Sequence, residues 1–115
     1  MSRKIYETLG PGYSECVYHR AFEVLLRTNN VPYETERIVP IVFEGHTIGN
    51  HRVDLIVNGS CIVELKATAS KLGDSAKVQT KNYMKLTGLT NALLVNFPQG
   101  LGSSHPEILQ FGAQE

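Results

Sequence analysis

The sequence predicts an α/β sandwich with a mixed sheet, its elements in the order α-β-β-β-α-β. Three observations predict it: a helix-period stretch near the start, three β-branched stretches separated by turns, and a second helix-period stretch leading into a short apolar run. The first helix follows the turn Leu9-Gly10-Pro11-Gly12. From Ser14 to Thr28, steps of about 100° put Val17, Tyr18, Ala21, Phe22, Val24, Leu25 and Leu26 on one arc, with His19, Arg20, Glu23 and Arg27 opposite. Glu15 falls between the azimuths of Phe22 and Leu26, in the first turn and at the edge of the apolar stripe. Asn29-Asn30 and Pro32 stop this helix, and Tyr33 to Phe43 reads as a strand. Glu44-Gly45-His46 turns the chain into a second strand, Thr47 to Val57, and Asn58-Gly59-Ser60 turns it into a third, Cys61 to Lys66. The three are expected to be antiparallel. A second helix runs from about Ser75 to Thr87, where Gly88 ends it. Ala92 to Asn96 is a short buried strand, Pro98 to Ser104 a loop, and Ile108 to Phe111 a last strand.

The chain has 115 residues, 42% of them apolar, so one hydrophobic core and a single domain over 1–115 are expected. No apolar run approaches the roughly 18 residues of a membrane span, and Met1 to Glu7 has no apolar signal core, so a cytoplasmic protein without membrane partners is expected. Cys16 and Cys61 lie in apolar segments without CxxC spacing and read as small buried hydrophobes, neither disulfide nor zinc ligand. Eleven Lys and Arg balance eleven Asp and Glu, which excludes the basic field of a sequence-blind nucleic-acid coat protein. The charge is nonetheless uneven. From Lys66 to Lys85 five lysines face only Asp74, which allows a local basic surface.

The hairpin between Asp54 and Glu64 carries the main functional inference. Val53, Leu55 and Val57 alternate with Asp54 and Ile56, and Cys61, Val63 and Leu65 alternate with Ile62, Glu64 and Lys66. A two-residue Asn-Gly turn would set Asp54 opposite Val63, whereas a three-residue loop, or an Asn-Gly turn with one bulge, sets it opposite Glu64 and keeps both apolar sets on one face. The burial pattern therefore favours the second register, with Asp54, Glu64 and Lys66 on one face. Two carboxylates about 5 Å apart repel unless one is protonated or a cation lies between them. Hard oxygen donors suit Mg²⁺ or Mn²⁺, which keep water and share phosphate oxygens. Lys66 can hold a water beside the metal or neutralise charge on a phosphoryl group, and Arg52, of the same parity, can pair with Glu64 or a phosphate. This is a layout for phosphodiester hydrolysis.

Asp54 with Glu64-Leu65-Lys66, on a hairpin preceded by a helix bearing Glu15, resembles the D…ExK core of the PD-(D/E)XK nuclease superfamily. Gly12-Tyr13-Ser14-Glu15-Cys16-Val17-Tyr18 is similar to the signature of its GxxExxY branch, and Gln79 to Tyr83 is similar to the QxxxY helix motif of RecB-like members. The resemblance covers roughly residues 8 to 97, with Val53 where the superfamily name has proline. It implies a restriction-endonuclease-like α/β fold, with metal held by Asp54, Glu64, Glu15 and the carbonyl of Leu65, and Lys66 as the catalytic lysine. Gln79 and Tyr83 would support the site or the nucleic-acid strand; Arg52, by its parity, and Tyr18 are expected to support it as well. The activity implied is Mg²⁺- or Mn²⁺-dependent cleavage of nucleic acid, DNA before RNA; the alternative is a catalytically silent module that binds nucleic acid or a protein partner. A homodimer is expected, because so small a domain encloses little of a strand alone.

Each residue also has a plainer reading. An ExK tripeptide arises by chance about 0.4 times in a chain of this size, so it counts only in combination. Glu15 suits the first turn of any helix, and Tyr83 suits any core. On the second helix Ala76, Gln79, Tyr83 and Leu86 share an arc away from Lys77, Lys81 and Lys85, which read as a solvated stripe. His19 reads as a surface helix residue, and His46, His51 and His105 as turn or surface residues.

Overall fold

The computed structural model describes residues 1–112, so the last three residues of the expected domain lie outside the described residues. Its elements are α1 (Ser2–Leu9), α2 (Glu15–Thr28), β1 (Tyr33–Phe43), β2 (His46–Val57), β3 (Cys61–Lys66), α3 (Asp74–Thr87), β4 (Asn91–Asn96) and β5 (Glu107–Gly112). The strands form one sheet in the order β1-β2-β3-β4-β5. Only β3 and β4 are parallel, because α3 carries the chain back between them; the other pairs are antiparallel. The sheet is therefore mixed, as expected. No helix among the described residues is long and apolar enough to cross a membrane.

The helix α1 adds to the predicted order. Its eight residues make barely two turns, too few for periodicity to declare, yet Ile5 and Tyr6 are buried. Tyr6 Oη donates to the carbonyl of Pro98, tying α1 to the segment after β4. On this side of the sheet Ile5, Tyr6, Tyr18, Phe22 and Leu26 pack with Leu55, Val63, Leu65, Val95 and Phe97. Val17 and Val24, expected on the apolar arc of α2, are exposed, because the buried ridge is the i, i+4 series Tyr18, Phe22, Leu26.

The other face packs Val39, Val53, Ile56, Ile62 and Ala92 against Tyr83 of α3. The buried residues of α3 are Thr80 and Tyr83, with Leu86 exposed, so the arc is rotated by about one residue from the expected Ala76, Gln79, Tyr83, Leu86. Gln79 consequently lies at the rim of the packed face.

The β2–β3 register is Leu55↔Val63, Ile56↔Ile62 and Val57↔Cys61, the three-residue loop favoured by the burial pattern. Asn58 and Gly59 take positive φ angles of 56° and 65°, and Ser60 N–H closes onto the Val57 carbonyl at 3.1 Å. One part of that reading needs correction: Val53 does not share a face with Leu55 and Val57 but packs with Ile56 and Ile62. The side chains change faces at Asp54. There the β1–β2 ladder has a gap between Thr35↔Leu55 and Arg37↔Val53, and Glu36, the β1 residue in that gap, has a φ of 55°. A left-handed residue interrupts strict alternation, and the break falls beside the carboxylate pair.

Candidate active site

The site begins where β2 leaves β3. Past Leu55↔Val63 the backbone ladder gives way to side chains: Asp54 N–H donates to Glu64 Oε2 at 2.8 Å, and Leu65 N–H donates to Asp54 Oδ2 at 2.9 Å. Each carboxylate thus replaces a strand partner for the other's strand. Among the described residues the second oxygen of each makes no hydrogen bond. Glu64 is 3% exposed, held in place by the parallel pairing of β3 with β4. Lys66, two residues on, extends toward α3, where its Nζ donates to Gln79 Oε1 at 3.2 Å. Glu15, in the first turn of α2, is exposed at the mouth.

The electrostatics register how closely these groups face one another. Burial pushes Glu64 up to about 8, with Asp54 and Glu15 adding to the rise and the Asp54 N–H and Lys66 opposing it. Burial also raises Asp54, against the Leu65 N–H, His19, Lys66 and Arg52. Glu15 is raised by desolvation and then by Asp54, and lowered by Lys66 and His19. Tyr83 is pushed up to about 12, by burial first and then by Glu64, Asp54 and Glu15. Its phenol therefore feels all three acids.

Two carboxylates that share a recess, each with an oxygen unused by the protein, are the donor chemistry of a hard divalent cation. Among the described residues no three His, Cys, Asp or Glu side chains are gathered as a ready-made metal cage. The donors present fit an ion such as Mg²⁺ that is bound through one or two carboxylates and retains water or substrate oxygens.

The remaining candidates divide between site and scaffold. Tyr18 is wholly buried; it stacks on Phe97 with ring centroids 4.3 Å apart, and its Oη donates to the Gly10 carbonyl at 2.7 Å. It ties the glycine-rich entry of α2 to the core. The Leu65 side chain is core, while its N–H serves Asp54. Arg52 lines a cleft of about 350 Å³ that runs from Asp54 along α2 and pairs there with Glu36 at 3.5 Å.

Four side chains differ from their expected settings. His19 is only 13% exposed, with Nε2 3.0 Å from Glu23 Oε2 and 2.8 Å from Thr35 Oγ1, so it pins α2 to β1 at the edge of the site. His51 is not a free surface residue but packs edge-on to Tyr83, centroids 4.9 Å apart. Cys16 is exposed on the cleft and Cys61 only partly buried; both are free thiols.

A family model of the PD-(D/E)XK nuclease superfamily matches residues 1–108. The chain is also similar to a solved structure, the crystal structure of SSO0001, with 22% identity and a TM-score of 0.64 over 85% of this chain and 50% of that one. It thus spans about half the length of that protein, and the likeness shows the fold: restriction-endonuclease-like, with a five-stranded mixed sheet and three helices. No curated protein matches.

Proposed function

Since the chain belongs to the PD-(D/E)XK nuclease superfamily, we propose that it is a metal-dependent phosphodiesterase of the GxxExxY branch that hydrolyses nucleic acid, DNA before RNA. The observation that carries this reading is the reciprocal bonding of Asp54 and Glu64. It holds two carboxylates together in a recess where Glu64 is raised to about 8, by burial first and then by Asp54. Asp54 and Glu64 would hold Mg²⁺ or Mn²⁺, with Glu15 and the Leu65 carbonyl completing the donors. The bound ion would supply Lewis acidity toward the phosphate and lower the pKa of water.

The chain's own groups do the rest. Lys66, ammonium held by Gln79, lies beside the carboxylates, where it orients the attacking water and offsets charge gathering on the phosphoryl oxygens. Gln79 orients Lys66 and so acts through it. Tyr83 walls the recess from the α3 side and keeps a neutral hydroxyl against the three acids. Tyr18 ties the entry of α2, the helix that bears Glu15, to the core. A homodimer and a cytoplasmic location belong to the same proposal; sedimentation as a monomer at working concentrations removes the first.

The test is cleavage of labelled single- and double-stranded DNA and RNA with Mg²⁺ or Mn²⁺, for wild type, Asp54→Ala and Lys66→Ala purified alike. Cutting by wild type alone is expected, and the strand cut names the substrate. Metal-dependent binding without turnover would instead make the protein a nucleic-acid-binding module, and equal cutting by all three would expose a contaminant.

A further inference from the structure

The cleft beside Asp54 holds a cation whose present partner is weak. Arg52 Nη1 lies 3.5 Å from Glu36 Oε1, with the two side chains 65% and 57% exposed. Exposed pairs of this kind contribute little and exchange readily. Both residues line the same cleft as Asp54, and Arg52 is two strand residues from it, roughly 7 Å along β2. That separation is on the scale of one nucleotide step. Arg20 of α2 borders the same cleft and makes no ion pair among the described residues.

The other acids of the cleft are engaged differently. Glu23 is held by His19 at 3.0 Å, Arg27 at 3.5 Å and the Tyr33 hydroxyl at 3.1 Å, while Asp54 and Glu15 face the carboxylate recess. Glu36 alone is paired only with Arg52. A carboxylate offers a guanidinium the same two-oxygen face that a phosphodiester does. Glu36, with a left-handed φ of 55°, falls in the gap of the β1–β2 ladder between Thr35↔Leu55 and Arg37↔Val53, level with Asp54 in β2.

We propose that Arg52, with Arg20 across the cleft, binds the phosphate adjoining the scissile one, and that Glu36 occupies this place in the free protein as an internal anion displaced by the nucleic-acid strand. The proposal deepens the nuclease reading and rests on it for the identity of the strand. Glu36 then acts as an electrostatic gate. It keeps Arg52 oriented while empty, and only a polyanion that brings further contacts can exchange with it.

The experiment measures binding of a fluorescein-labelled single-stranded DNA oligonucleotide by anisotropy, in EDTA at low salt, where no turnover occurs. Glu36→Gln should bind about two- to fivefold tighter than wild type, the worth of one exposed ion pair. Glutamine is chosen because it leaves the backbone at this position as it is. Arg52→Ala should bind more weakly and flatten the slope of log K against log salt by about 0.7. Combining Glu36→Gln with Arg52→Ala should abolish the gain. Glu34→Gln, which removes the same charge from the same strand but from a pair with Arg37 at 3.1 Å, should bind as wild type does. The proposal is overturned if Glu36→Gln binds no tighter, if its gain persists without Arg52, if Glu34→Gln gains equally, or if wild type and Glu36→Gln both fail to bind. Cleavage with Mg²⁺ is read separately. Cutting by wild type with no Glu36 effect removes the gate and leaves the nuclease reading; the Glu36–Arg52 pattern without cutting does the reverse.

Discussion

Replacing Glu64 with glutamine should make the metal-free protein more stable while abolishing cleavage. Glu64 is 3% exposed and its carboxyl is raised from 4.5 to about 8, by burial first and then by Asp54. At about 1.4 kcal/mol per unit, a rise of this size sets roughly 5 kcal/mol as the ceiling of the pH-dependent contribution. The sign follows from the raised value: the folded protein holds a proton that the unfolded chain releases. That stabilisation is complete below the unfolded value of 4.5 and is lost as pH rises through about 8. Glutamine matches the protonated acid in shape, keeps an oxygen for the Asp54 N–H and never ionises. In urea unfolding with EDTA, Glu64→Gln should exceed wild type by several kcal/mol near pH 9, and the gap should close below about pH 4.5. Mg²⁺ should narrow the gap at high pH by stabilising wild type alone. A glutamine variant less stable than wild type near pH 9, or a gap independent of pH, would refute the reasoning.

Other outcomes follow from the same geometry. Lys66→Met should leave stability within about 1 kcal/mol, because the lysine is only half-buried and bonded to one amide, yet lower the single-turnover cleavage rate by at least a hundredfold. Tyr83→Phe should fold normally and cut more slowly, whereas Tyr83→Ala should cost about 3–5 kcal/mol of stability in urea, since the ring fills the core under α3. Tyr18→Phe, which leaves the Gly10 carbonyl without its partner, should lose about 1–2 kcal/mol and weaken Mg²⁺ binding in calorimetry through a loosened Glu15.

The hairpin register is the most legible feature, because only an odd count, from a three-residue loop or a bulged Asn-Gly turn, keeps Leu55, Val57, Val63 and Leu65 on one face. That register alone sets Asp54 opposite Glu64. What alternation cannot disclose is the change of face at Asp54: a left-handed Glu36 is a backbone state that its side-chain chemistry does not announce, and Val53 packs in the other layer from Leu55. On α3 the burial difference between Gln79 and Thr80 is one step of the helix, finer than an arc of mixed polar and apolar residues can fix. Short α1 had too few turns to show a period, and its burial comes from Tyr6 reaching Pro98 across 92 positions of sequence. The packed setting of His19 is hidden from the sequence for a related reason. Its partners are Glu23, one turn on, and Thr35, on a strand whose position beside α2 is a tertiary fact.

The measurement that tests the account most directly is the rate of cleavage of a labelled oligonucleotide across a Mg²⁺ titration, for wild type, Asp54→Asn and Lys66→Met. The expected result is no cutting in EDTA, a rate that saturates with Mg²⁺ in wild type, a right-shifted titration with a far lower rate in Asp54→Asn, and a loss of rate without a shift in Lys66→Met. Cleavage that is indifferent to Mg²⁺, or unchanged in both variants, would contradict the assignment of the carboxylate pair and its lysine to phosphodiester hydrolysis.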